Sequence, residues 1–251
     1  MQIDRDSFNE NFTIYDFPDW HCSTCQKGKL FFNKKNITIY ETKESKMNRA
    51  EFDNRELDLV DKYFIGTITC NNPECKEIFI IAGNLYLEEN IDDSSGKGYT
   101  ELYYPKYIFP TINIFKIPEE TPFDVQDSII IAFKIFWIDK PSCANAIRTT
   151  VDTILTDKKI RKIEIINNKR KKLTLHKRIE LFKSKNHEIA NCLMAVKWIG
   201  NSGIHEKEIT NDDLLDGFEI LKHSIEKLYT THEKEFAQKV KQINKRKKPL
   251  A

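Results

Sequence analysis

The hydrophobic period of the chain changes once, near residue 121, and divides it into two kinds of structure. Before that point short apolar runs are separated by polar turns. Leu30-Phe31-Phe32, Ile37-Thr38-Ile39-Tyr40, Tyr63 to Thr69 and Glu77 to Gly83 read as strands. Residues 41–62 are charged and helix-compatible, an insertion between strands, and Asn90 to Gly98 reads as a polar loop. Pro105, Pro110, Pro118 and Pro122 then punctuate the chain. Each removes an amide donor and biases its predecessor towards extended backbone, so residues 103–122 are expected to form a connector without long regular structure.

From Thr121 onward apolar residues recur every three or four positions. Thr121 caps a first helix that Pro122 opens, with Val125, Ile129, Ala132, Phe133 and Phe136 on one face. A second starts at Lys140-Pro141-Ser142 and carries Ala146, Ile147, Val151, Ile154 and Leu155, with Arg148 beside them. The segment from Asp157 to Lys172 lacks strong periodicity and reads as a long excursion. Leu175, Ile179 and Phe182 mark a third helix, and Ile189, Cys192, Leu193 and Val196 a fourth that Gly200-Asn201-Ser202-Gly203 is expected to end. The last opens on a capping box, Thr210 with Asp213, runs through Leu214, Phe218, Leu221 and Ile225, and continues towards Phe236, Val240 and Ile243.

Composition narrows the class. With 251 residues, 40% hydrophobic and 31% charged, the chain is neither collagen-like nor fully disordered. No apolar run reaches the ~18 residues of a membrane span, and Met1 to Asn11 lacks the basic-then-apolar order of a secretory signal, so a cytoplasmic protein is expected. The net charge of +2 conceals an asymmetry. Residues 1–118 hold 14 Lys and Arg against 19 Asp and Glu, whereas the remainder holds 26 against 19. Ten of those cations lie between residues 157 and 178 and six between Lys239 and Lys248. Such strips either solvate the surface or face a polyanion; the second reading nominates Lys169, Arg170, Lys171, Lys172, Lys177 and Arg178 for RNA or DNA.

Four of the six cysteines form two close pairs, Cys22 with Cys25 and Cys70 with Cys75. Each pair brackets a turn that can aim two thiolates at one ion, and thiols in a reducing cytosol favour metal over disulfide. The reading is a structural zinc ribbon with Cys22, Cys25, Cys70 and Cys75 as ligands and no open coordination position. His21 is a bystander. Cys143 and Cys192 read as small buried hydrophobes. The expected fold is therefore α+β: a β-rich zinc ribbon over residues 1–102, the connector 103–122, a helical bundle over 123–232 and a basic helical or disordered tail over 233–251. No phosphate-binding glycine loop, Gly-x-Ser-x-Gly elbow or His-Glu-x-x-His helix occurs, which makes an ATPase or hydrolase an unsuitable reading.

Lys197-Trp198-Ile199-Gly200-Asn201-Ser202-Gly203-Ile204-His205, after a helix and before a capped one, resembles the signature of the family known as domain of unknown function 4145. The proline-rich approach, the Pro141 to Arg148 helix start and the upstream ribbon are similar too. The resemblance covers about residues 100–230. It implies a HEPN-like helical bundle, a homodimer and a place in bacterial defence or stress systems, with nucleic acid or a protein as partner. Active HEPN proteins are metal-independent ribonucleases that carry an arginine and, after four to six intervening residues, a histidine. Here 198–200 are Trp, Ile and Gly, and the nearest preceding cation is Lys197. Two readings follow: a non-catalytic binding module in which Asn201 and His205 hold a loop, or an endoribonuclease with His205 as base, Lys197 as cation, Asn201 assisting and Arg148 entering from the second helix.

Overall fold

The computed structural model describes residues 3–51, 61–92, 96–202 and 209–247. They divide into two compact units, residues 4–113 and residues 114–251 with the first three residues of the chain.

The first unit is built on a four-stranded antiparallel sheet in sequential order, β1 (Leu30–Glu41), β2 (Lys62–Cys70), β3 (Ile78–Asp92) and β4 (Gly96–Phe109), with helix α1 (Lys43–Glu51) between β1 and β2. The two apolar runs expected as separate strands are one, β1, interrupted by a register shift between Phe32 and Ile37. β3 and β4 pair from Ile80 with Phe109 out to Asp92 with Gly96, so much of the expected polar loop is strand. The expectation of irregular chain over 103–122 fails for 103–109, because β4 passes through Pro105, and holds for 110–122, which carry no strand or helix. A register shift opposite Ala82 and Gly83 opens β4 there, and β4 is an edge strand. A proline without an amide proton is tolerated at an edge bulge.

One face of this sheet buries Phe32, Phe64, Ile68, Phe79, Ile81, Leu85 and Tyr103. Phe12, Phe17 and Trp20 cover them: Phe12 stacks on Tyr103 at 5.5 Å and meets Trp20 edge-on at 5.8 Å. The Trp20 indole donates to the Ser7 carbonyl at 2.5 Å, which satisfies its one polar atom. The opposite face is also apolar yet exposed, from Tyr63 and Ile65 on β2 to Tyr107 and Phe109 on β4.

The second unit contains α2 (Phe123–Phe136), α3 (Lys140–Asp157), a hairpin of β5 (Ile163–Ile166) and β6 (Lys169–Lys172), α4 (Leu175–Lys183), α5 (His187–Ser202), α6 (Asn211–Tyr229) and α7 (Thr231–Arg246). α3 is central and packs on α2, α5 and α6. Its Ile147, Val151, Ile154 and Leu155 are fully buried, and Phe133 and Phe218 meet at 5.4 Å in the same core. Asp139 caps α3 by accepting from the Ser142 amide at 2.8 Å, and Pro141 sits in the first turn, where its missing donor costs nothing. The Thr210–Asp213 capping box of α6 forms in both directions.

Four details differ from the sequence expectation. Pro122, not Thr121, occupies the cap position of α2, and the buried Thr121 hydroxyl has no hydrogen-bond partner among the described residues. The excursion after α3 contains the β5–β6 hairpin, turned by Asn167 and Asn168 at φ 50° and 58°. Asparagine tolerates this left-handed pair, which a two-residue hairpin turn requires. α6 stops at Tyr229 and α7 is a separate helix after Thr230. Gly200 and Asn201 lie inside α5 rather than ending it. A Cβ on Gly200 would stand 2.7 Å from the Cβ of Arg148 and 2.9 Å from the Ala144 carbonyl oxygen, so the glycine is there to let α5 approach α3.

Candidate functional site

The pairing of β1 with β2 places Leu30 opposite Cys70, and so brings the turn before β1 beside the turn that joins β2 to β3. In the first turn the Cys22 amide donates to the Gly28 carbonyl at 2.9 Å, and His21 bridges Lys29. In the second the Cys70 amide donates to the Glu77 carbonyl at 2.9 Å. The residue after the second cysteine of each pair, Gln26 and Lys76, takes φ of 55° and 51°, so the two turns share one local geometry. Asn71 ties them together: its amide donates to the Lys29 carbonyl and its side-chain oxygen accepts from the Lys29 amide, both at 2.9 Å.

All four thiols converge. The sulfurs of Cys22, Cys25, Cys70 and Cys75 lie within 4.8 Å of one another, with Cys22 to Cys75 at 3.8 Å and Cys25 to Cys70 at 3.7 Å. An ion bound tetrahedrally at the zinc–thiolate distance of ~2.3 Å would hold its sulfurs ~3.8 Å apart, whereas a disulfide needs ~2.05 Å. The donor set fits a soft or borderline divalent ion held by four thiolates. Cys22 and Cys70 are buried and Cys25 and Cys75 partly exposed. Amide donation from Gly28, then from Lys27, and the Asn72 side chain draw Cys25 down to about 6, while burial pushes Cys70 up to about 12. Gly28 is indispensable by space alone, since a Cβ would meet the Cys70 sulfur at 2.5 Å. Sequence reasoning found the four cysteines and missed Gly28 and Asn72. The signal was a glycine three residues past Cys25, where its amide reaches that sulfur at 3.4 Å.

The other nominated residues separate. Lys169, Arg170, Lys171 and Lys172 are all exposed on β6, and Lys177, Arg161 and Lys162 are exposed nearby. Arg178 is not part of that surface. It is 1% exposed and pairs with the Asp152 carboxylate, while its other terminal nitrogen donates to Thr156 at 3.1 Å and to the Ile160 carbonyl at 2.9 Å. The one cation that the helical period of α4 turns inward is a core strut, not a nucleic-acid contact. Cys143 is buried, but Cys192 is only partly so; burial raises both thiols, which leaves them poorly nucleophilic.

Lys197 and Asn201 lie one turn apart on α5, and His205 falls outside the described residues. Lys197 is 8% exposed. It is covered rather than deep, its ammonium lying 3.3 Å from the centre of the exposed Trp198 ring. Arg148 reaches the same place from α3, its stem running over Gly200. Among the described residues neither cation has a hydrogen bond or a carboxylate partner, and the Arg148 Nε is buried and unsatisfied. Burial, and then the Arg148 charge, hold Lys197 below the ordinary lysine value.

Comparison with known proteins gives families without an assigned role. Residues 131–246 match the family model of a domain of unknown function (DUF4145). Residues 10–108 match that of another domain of unknown function (DUF8608). No curated protein and no solved structure matches the chain. The chain thus joins a cysteine-bearing β segment and a helical segment, each similar to a different family of unknown function.

Proposed function

We propose that this protein is a zinc-stabilised binding module whose helical unit is HEPN-like and works on nucleic acid without cleaving it, in the defence or stress setting that the resemblance implies. The observation that supports this most is the β5–β6 hairpin. It presents Lys169, Arg170, Lys171 and Lys172, all exposed, on one two-residue-turn ribbon, whose acid is Glu164 of β5, opposite Lys171. A ribbon of cations of this kind gains affinity by releasing counterions from phosphates, which is sequence-independent and steeply salt-dependent. The zinc, held by Cys22, Cys25, Cys70 and Cys75 with no open position, serves the fold of the first unit.

The test is binding of labelled single-stranded RNA and duplex DNA by fluorescence anisotropy over a salt series. Replacing the four β6 cations by serine should weaken binding at least about tenfold and flatten the salt slope by several phosphates. Unchanged affinity and slope would remove the hairpin from the function.

A second reading, an endoribonuclease using His205, Lys197 and Asn201, is favoured by one observation: Arg148 from α3 joins Lys197, so a guanidinium stands where the sequence motif lacks one. Two cations without an acid can hold a phosphate and stabilise charge that develops on it. Cleavage that survives chelator and is lost in both His205→Ala and Arg148→Gln would establish it.

A further inference from the structure

An antiparallel sheet with one face in water normally alternates apolar with polar residues, and continuous apolar strands are the mark of a sheet covered on both faces. The first unit breaks the alternation. β3 opens Ile78-Phe79-Ile80-Ile81-Ala82, in which Phe79 and Ile81 face the core and Ile78 and Ile80 face outward. The register then lines up like residues across the sheet: Thr67 and Ile65 of β2 stand beside Ile80 and Ala82, which in turn stand beside Phe109 and Tyr107 of β4. On β1, Phe31 and Tyr40 pair with Thr69 and Tyr63 on that same face. Across these paired positions no side chain is charged, and Lys106, in the register shift of β4, borders them beside Tyr40, Tyr63 and Tyr107.

Phe31, Tyr40, Tyr63, Ile65, Ile78, Ile80, Tyr107 and Phe109 are 43–62% exposed. At ~150–250 Å² per large side chain this leaves on the order of 800 Å² of contiguous apolar surface in water. That exceeds the largest patch of a typical monomer, ~300–600 Å². It equals the share each partner contributes to a standard protein interface, about 800 Å². The paired positions themselves are uncharged, and the charge beside them, Lys106 at the β4 bulge, sits on the edge strand. A polyanion would find aromatic rings there but no line of cations.

We propose that the outer face of the β1–β4 sheet is a dimer interface, occupied by the same face of a second copy of this chain. Two sheets would pack about 10 Å apart around a two-fold axis, Tyr63 and Ile80 of each protomer lying in the dry centre. This goes beyond the nucleic-acid reading and is independent of it, since it uses no residue of the helical unit.

The test is sedimentation velocity of the full chain over a range of concentrations, with Ile80→Lys and the milder Ile80→Thr. Wild type should sediment as two chains. Ile80→Lys sets two ammonium groups against each other in the interface and should raise the dimer dissociation constant at least about tenfold. Far-ultraviolet dichroism and bound metal per chain should stay unchanged. A photo-crosslinking amino acid in place of Tyr63 should trap a species of twice the chain mass. Replacing Lys169 to Lys172 should leave the mass unchanged. A monomeric wild type would overturn the proposal. So would a dimer that neither Ile80 variant weakens and that the Tyr63 probe does not trap, because another surface would then carry it.

Discussion

The two units keep their folds by different means. The helical unit has what a domain of its size needs: a central helix, α3, buried on three sides by α2, α5 and α6, and caps on α3, α4 and α6. The β unit has a sheet with one covered face, and its two cysteine turns hold together through few hydrogen bonds, chiefly the exchange between Lys29 and Asn71. Four sulfurs close those turns. The comparison teaches that an ion held by those sulfurs would act as a second core, and that the unit would then be as stable as its ion is tightly held. Removing the ion, or one ligand by Cys70→Ser, should therefore have the largest effect on the molecule. Structural zinc contributes on the order of 10 kcal/mol in small domains. In a calorimetric scan with chelator the transition of the β unit should vanish while that of the helical unit persists. An unaltered trace in chelator would dissolve the distinction between the units.

The helical unit has its own weak point, and it is electrostatic. Arg178 is enclosed, whereas 43% of the Asp152 side chain reaches solvent. Asp152→Ala would leave a guanidinium among apolar neighbours with only neutral acceptors, a loss of about 3–5 kcal/mol. Arg178→Met leaves instead a carboxylate that water can reach, and should cost less. Urea denaturation of the two variants would show this order; the reverse order would mean that Arg178 contributes more by filling space than by its charge. The third effect is smaller. Gly200→Ala gains about 1 kcal/mol of helix propensity and must push α5 from Arg148 and Ala144 at a cost of about 1–3 kcal/mol. A net loss near 1 kcal/mol is expected, and net stabilisation would show that the α3–α5 contact yields easily.

How much of this was legible in the sequence follows from which forces are local. Helices α2 to α6 were visible because burial imposes a 3.6-residue period, and the Thr210–Asp213 box because capping is a matter of three residues. The cysteine cluster was visible because ligands must come in close pairs. The β5–β6 hairpin was not, since Lys169 to Lys172 have no apolar alternation and the turn uses Asn-Asn in place of the glycine that usually marks it. Gly200 was misread for a different reason. A glycine signals freedom or closeness with the same letter, and only the neighbouring helix shows which. Arg178 sat in a run of cations whose character hid that one of them faced inward.

The smallest effect concerns Lys197, and it separates a cation kept for function from one kept for the fold. Its charged form is penalised by burial and by Arg148, so its value in the folded chain lies below the ordinary 10.5. For a lysine this sign means that folding is disfavoured while the group is charged in both states. The penalty is complete below the folded value, fades as pH rises from there towards 10.5, and is gone above it. Lys197→Met should thus raise stability slightly at neutral pH, by less than about 1 kcal/mol, and the gain over wild type should shrink as the solution is made alkaline. That outcome would leave Lys197 unexplained by the fold and would favour the anion proposed for Lys197 and Arg148. A variant that is less stable than wild type at neutral pH would show that the ammonium against Trp198 holds α5 in place and has no ligand to wait for.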